Sequence, residues 1–115
     1  MISNALKNMV ESAVCTEHAD IKHIHGERYA SAHEGYGVLM EELHEATVEL
    51  RDLDSLVREQ LMEDLHDNDL SGMICSLTDV ELFARKLAYE AIQVAAVARK
   101  MADTLAEIRE EAEGA

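Results

Sequence analysis

The chain has no proline, no tryptophan, one phenylalanine, five glycines and two cysteines among its 115 residues. With aromatics at 3%, any core must be assembled from Leu, Val, Ile, Met and Ala. That material suits closely packed helices better than a sandwich. The scarcity of Pro and Gly points the same way, because an all-β chain needs turn residues roughly every 8–12 positions. No apolar run approaches the roughly 20 residues needed to span a bilayer. Basic residues are also few: ten Lys and Arg stand against 24 Asp and Glu, a formal net charge of −14. A surface of that sign repels a phosphate backbone, so no direct nucleic-acid partner is expected.

The opening Met1-Ile2-Ser3-Asn4-Ala5-Leu6-Lys7 lacks a basic segment followed by an apolar run. No signal peptide is therefore read there. Cys15 and Cys75 have no metal-motif spacing and are expected to be reduced thiols in a cytoplasmic protein. Hydrophobic residues at 48% and charged residues at 30% argue against disorder. The chain length fits a single helical domain over residues 1–115.

Periodicity places the helices. Ile2, Leu6, Met9, Val10, Ala13 and Val14 form one apolar stripe at helical spacing, and the pattern stops at Gly26. Ser31-Ala32-His33-Glu34 has the form of a capping box. It opens a second helix to about Asp52, with Ala32, Tyr36, Leu39, Leu43, Ala46 and Leu50 on one side. Gly35 and Gly37 are each costly in a helix interior by about 1 kcal/mol, and a close neighbour would explain them. Leu53, Val57, Leu61 and Leu65 suggest a shorter third helix to His66, broken by Asp67-Asn68-Asp69 and Ser71-Gly72. Thr78-Asp79-Val80-Glu81 reads as another capping box, opening a last helix to about Arg109. The expectation is an all-α bundle of about four helices. The segment Leu87–Ala98 is apolar nearly all round, which marks a buried helix and favours a homo-oligomer.

Acidic side chains supply the candidate chemistry. Glu41-Glu42-Leu43-His44-Glu45 puts Glu42 and Glu45 three apart and Glu41 and Glu45 four apart, so their carboxylates lie side by side on a helix. Like charges repel there, and a hard divalent cation turns repulsion into coordination. Glu90 and Gln93 share a face of the apolar last helix. A carboxylate in such a setting needs a cation or a proton. Lys86, one turn earlier, is the ordinary candidate partner, and a metal shared with Glu42 and Glu45 is the functional one. Two weaker signals are present. Asp67 to Gly72 has the opening of a calcium loop, but Thr78 stands where a bidentate Glu is required. His23 and His25 are two ligands without the third that zinc needs.

The segment from Ser31 to Glu45, followed by Tyr89-Glu90-Ala91-Ile92-Gln93-Val94-Ala95-Ala96, resembles small MazG-like proteins of the all-α nucleoside triphosphate pyrophosphatase group. Their signature is E-x-x-E on one helix and E-x-x-D on a later one, together holding Mg²⁺. By position the resemblance implies metal ligands at Glu42, Glu45 and Glu90, with Glu41 as the adjacent acid and Gln93 in the last place. It implies an Mg²⁺-dependent (Mn²⁺ as substitute) pyrophosphohydrolase acting on a nucleoside triphosphate, as a homodimer or homotetramer. A water attacking the α-phosphate would lose its proton to Glu41 or Glu45, and Lys86 or Lys100 would touch phosphate. Gln93 replaces the acid of the signature and removes one anionic ligand. Glu45 and Glu90 are also separated by more chain than is usual. The competing expectation is therefore a non-catalytic helical oligomerisation or regulatory module that has lost the metal chemistry.

Overall fold

The computed structural model describes residues 1–114. Its elements are α1 (Asn4–His25), α2 (Ala32–Ser55), a π-helical stretch (Leu56–Leu61), α3 (Met62–His66) and α4 (Leu70–Gly114), with no strand among the described residues. The π-helical stretch follows α2 directly and α3 follows it, so the molecule has three long helical stretches where about four helices were expected. Nothing between Asp52 and Ser55 breaks the chain. The apolar residues Leu53, Val57, Leu61 and Leu65 recur strictly every four positions, which drifts off one face of a 3.6-residue helix. The wider i→i+5 turn of a π-helix absorbs that drift.

Helix termini follow local chemistry. Ser3 caps α1 through its hydroxyl, which accepts from the Leu6 N–H at 3.1 Å. Gly26 ends α1 with φ 96°, and its N–H donates to the Lys22 carbonyl; that left-handed region favours glycine. At α2 the Ser31 hydroxyl accepts from the Glu34 N–H at 3.2 Å, while Glu34 reaches back to the Ala30 N–H at 3.4 Å. The reciprocal cap exists, displaced by one residue on the Glu side.

The start of α4 corrects the expected boundary. Asp69 accepts the Gly72 N–H on its carboxylate at 2.9 Å and the Met73 N–H on its carbonyl at 2.9 Å, so it is the true cap. Thr78 lies inside the helix with its hydroxyl donating to the Ile74 carbonyl at 2.9 Å. Ser71 and Gly72 belong to the helix, which leaves no extended calcium loop. Asn68, at φ 52°, takes the left-handed turn that Asn tolerates.

Two compact units divide the chain: Met1–Leu43 with Ala91–Ala115, and His44–Glu90. The first has an apolar centre of Val14, Tyr29, Ala96 and Val97. Polar ties surround it: Arg28 to Glu107 and Glu111 (3.2 and 2.6 Å), Arg99 to Glu11 (3.0 Å) and His18 to Asp103 (3.1 Å). Gly35 is required here. A Cβ on it would stand 3.0 Å from Met101 Cγ and 3.1 Å from Tyr29 Cδ2, whereas one on Gly37 would meet nothing within 4 Å. The close-neighbour explanation holds for Gly35 and fails for Gly37.

The second unit is centred on a polar contact. Asp64 and Ser76 are its buried residues among those described; the Ser76 hydroxyl donates to Asp64 Oδ2 at 2.6 Å and Gln60 donates to Oδ1 at 3.2 Å. Many of its large apolar side chains stay exposed, among them Leu70 at 72%, Ile74 at 66% and Tyr89 at 63%. Within Leu87–Ala98 only Ala96 and Val97 are buried, so the expected all-round burial is absent in the single chain. The first helix shows the same: of its apolar stripe only Val14 is buried.

Candidate functional site

Helical spacing brings Glu42 and Glu45 to adjacent turns of α2, and α4 carries Glu90. Each offers one carboxylate oxygen, and these atoms lie within 4.8 Å of one another. Glu42 and Glu90 are partly buried and Glu45 is exposed. Three like charges at that separation repel, so the arrangement favours a positive occupant. The donor set is all oxygen, which suits a hard cation such as Mg²⁺ or Mn²⁺ rather than a thiophilic one. Glu49, four residues after Glu45, holds a carboxylate oxygen shut off from solvent with no hydrogen-bond partner. No role was expected of Glu49 from the sequence.

The other expected residues lie as follows. Glu41 is exposed and borders a cavity of about 430 Å³ in the first unit. Gln93 also lines this cavity, and its amide nitrogen donates to Glu17 at 2.6 Å. A carboxylate only accepts, so Glu17 fixes which way the amide faces and leaves the Gln93 carbonyl oxygen as its available end. Lys86 holds its ammonium 5.0 Å over the ring of Phe83. Lys100 is 1% exposed, with its ammonium 4.2 Å over the Tyr29 ring and no hydrogen-bond partner. Burial pushes its pKa below the ordinary lysine value, against an opposing pull from Glu34 and Glu27. Lys100 would have to leave that ring to meet a phosphate in solution.

Tyr29 emerges only from the structure. It is 4% exposed and lines the cavity, and its hydroxyl has no partner. Its ring is held by Lys100 on one face and by the close approach of Gly35, and its backbone N–H donates to Thr104 Oγ1 at 3.1 Å. Burial, then the charges of Glu34 and Glu42, raise its pKa above the ordinary tyrosine value, so the phenol keeps its proton and acts as a donor. No local sequence pattern announces such a residue, which sits in the connection between α1 and α2. Ile21, Val38 and Val97 give the cavity its apolar wall; Glu34, Glu41 and Glu42 supply its acids, with His25 beside them.

Both cysteines are free and exposed. No described helix is long and apolar enough to cross a membrane. Comparison with protein-family models, curated proteins and solved structures finds no match to this chain.

Proposed function

We propose that this chain is an Mg²⁺-dependent nucleoside triphosphate pyrophosphohydrolase of the MazG-like type, releasing pyrophosphate from a (deoxy)nucleotide. The observation that carries the proposal is the gathering of Glu42, Glu45 and Glu90 carboxylate oxygens within 4.8 Å. Those three residues would hold the ion, with Mn²⁺ able to replace Mg²⁺. When bound, the metal supplies polarisation of phosphate oxygens and a water of lowered pKa. An acidic protein has little direct attraction for a triphosphate, so the carboxylates serve the substrate by way of the cation. Glu41, beside the cavity and outside the three-carboxylate group, would take the water's proton on its carboxylate. Lys100, held over the Tyr29 ring, fixes that ring's position rather than touching phosphate.

Self-association belongs to the same proposal. The segment His44–Glu90 leaves Val48, Leu50, Val57, Met62, Leu65 and Ile74 exposed without burying a large apolar side chain of its own among the described residues. A second copy that covers these would give the unit the apolar centre it lacks.

A specific observation favours the second reading, a helical module without catalysis. The amide nitrogen of Gln93 is engaged by Glu17, where an acid would be needed to complete the fourth ligand. The test is release of pyrophosphate from each nucleoside triphosphate with Mg²⁺ or Mn²⁺. The enzyme reading expects turnover by the wild type that drops at least a hundredfold in the Glu42→Gln, Glu45→Gln double variant. Equal, background release by both leaves the module.

A further inference from the structure

One face of α4 stays open in the single chain and follows a regular pattern. The helix is continuous from Leu70 to Gly114. Leu70, Ile74 and Leu77 lie exposed along it. Ala84, Ala88, Ala91 and Ala95 continue the same face, exposed as well, with Glu81 between the two groups. The spacing alternates four and three residues throughout, which is the seven-residue repeat of a helix that runs alongside another helix. Ser76 is buried and Phe83 and Leu87 are partly buried on the other side, so the chain's own packing uses a different face.

Size and charge along this seam identify what covers it. Its first half is large and its second half small. A second α4 laid antiparallel, about a two-fold axis at the level of Leu82 and Phe83, sets Leu70 against Ala95 of the other copy, Ile74 against Ala91 and Leu77 against Ala88. Large then meets small at each level, and one interaxial distance of about 8–10 Å serves the whole length. A parallel pair would stack Leu70 on Leu70 and Ala95 on Ala95, which needs a spacing that narrows along the helices. The same axis brings Glu81 against Ala84 of the other copy and beside its Arg85. Within one chain Arg85 holds Glu81 at 2.8 Å; in the pair each acid lies between two guanidinium groups. That local match offsets the repulsion between copies of net charge −14. The contact is self-complementary, as a closed two-fold dimer requires, and it spans about 38 Å of helix.

We infer that the face of α4 from Leu70 to Ala95 is the docking surface for a second copy of this chain, paired antiparallel, α4 to α4. The inference rests on the self-association proposed above and supplies its surface and orientation. It requires neither the metal nor catalysis.

Sedimentation equilibrium of the full chain should give a dimer. Ala84→Glu, at an exposed position, sets a carboxylate against Glu81 of the other copy. It is expected to weaken association at least tenfold with unchanged helical circular dichroism. A second variant reads orientation: Leu77→Cys with Ala88→Cys, in a chain whose exposed Cys15 and Cys75 are replaced by Ser. Under a mild oxidant it should give a dimer linked from position 77 of one copy to position 88 of the other. Within one helix those positions lie about 16 Å apart, beyond disulfide reach. Links of 77 to 77 and 88 to 88, or a dimer indifferent to Ala84→Glu, would overturn the inference. A dimer indifferent to Ala84→Glu but dissociated by Met62→Glu would keep self-association and move it to another surface; a monomer at every concentration would overturn both. Should Ala84→Glu fail to fold, the linkage pattern decides by itself.

Discussion

Replacing Glu45 by Gln should raise stability without metal and lower it with metal. Glu45 shares a 4.8 Å neighbourhood with Glu42 and Glu90. Two unit charges at that distance repel by about 0.9 kcal/mol in water and by about 3.5 kcal/mol at an effective dielectric of 20. Glu45 is exposed, so the aqueous figure governs it, and losing its charge relieves two such pairs, about 1–2 kcal/mol. In EDTA at low salt the variant should therefore melt several degrees above the wild type, at about 4 °C per kcal/mol. Potassium chloride at 1 M should shrink the gap, since the Debye length falls to about 3 Å. With Mg²⁺ or Mn²⁺ at a hundredfold excess over Kd, binding adds about 2.7 kcal/mol to the wild type, and the order of the two melts should invert. Differential scanning calorimetry of both proteins with EDTA and with metal reads all four values. A variant no more stable than the wild type in EDTA, together with a wild-type midpoint unmoved by millimolar metal, would refute the reasoning.

Two further outcomes concern the first unit. Lys100→Met removes a buried cation whose partner is an aromatic ring, and the variant should be about 1 kcal/mol more stable at pH 7, since the removed desolvation cost outweighs the ring contact. The sign of the pH effect follows from the lowered folded pKa: the unfolded chain binds the extra proton, so the Lys100 contribution to stability rises with pH up to the ordinary 10.5. Tyr29 acts oppositely, losing stability above its ordinary 10.0 because its folded pKa is raised. Urea melts from pH 7 to 10.5 should show the rising component in the wild type and lack it in the variant. Gly35→Ala should lose about 1–2 kcal/mol by crowding Met101 and the clamped Tyr29, while Gly37→Ala, with open space around its Cβ, should gain about 0.5–1 kcal/mol; paired thermal melts compare them.

Local rules were sufficient where one residue decides. Gly26 stops α1, and Ser31 and Glu34 cap α2, because a cap is satisfied within four residues of itself. Thr78 misled because its spacing to Glu81 has the capping form, yet Asp69 had already started the helix and no breaker intervened. The junction of α2 with the π-helical stretch was misread as a gap for a related reason: a shift of the apolar stripe looks the same on paper whether the chain turns or its helix widens. Burial along α4 was overestimated because apolarity says which side chains would gain from cover and not what covers them. In the candidate site, the spacing of Glu42 and Glu45 is local and visible, but the nearness of Glu90 is tertiary and was reached only indirectly, from a lone carboxylate in an apolar helix that needs a cation. Tyr29, Glu17 and Glu49 were invisible as participants. Their roles depend on which faces meet, and each residue type is ordinary where it stands.

The central claim is that acids from α2 and α4 bind one divalent ion, and Mn²⁺ is the most direct probe of it. Crystals of the full chain soaked in Mn²⁺ and measured at the manganese edge should show an anomalous peak touching the carboxylates of Glu42, Glu45 and Glu90. Saturating Mn²⁺ with no peak at those three residues, or a peak held by other groups alone, would contradict it.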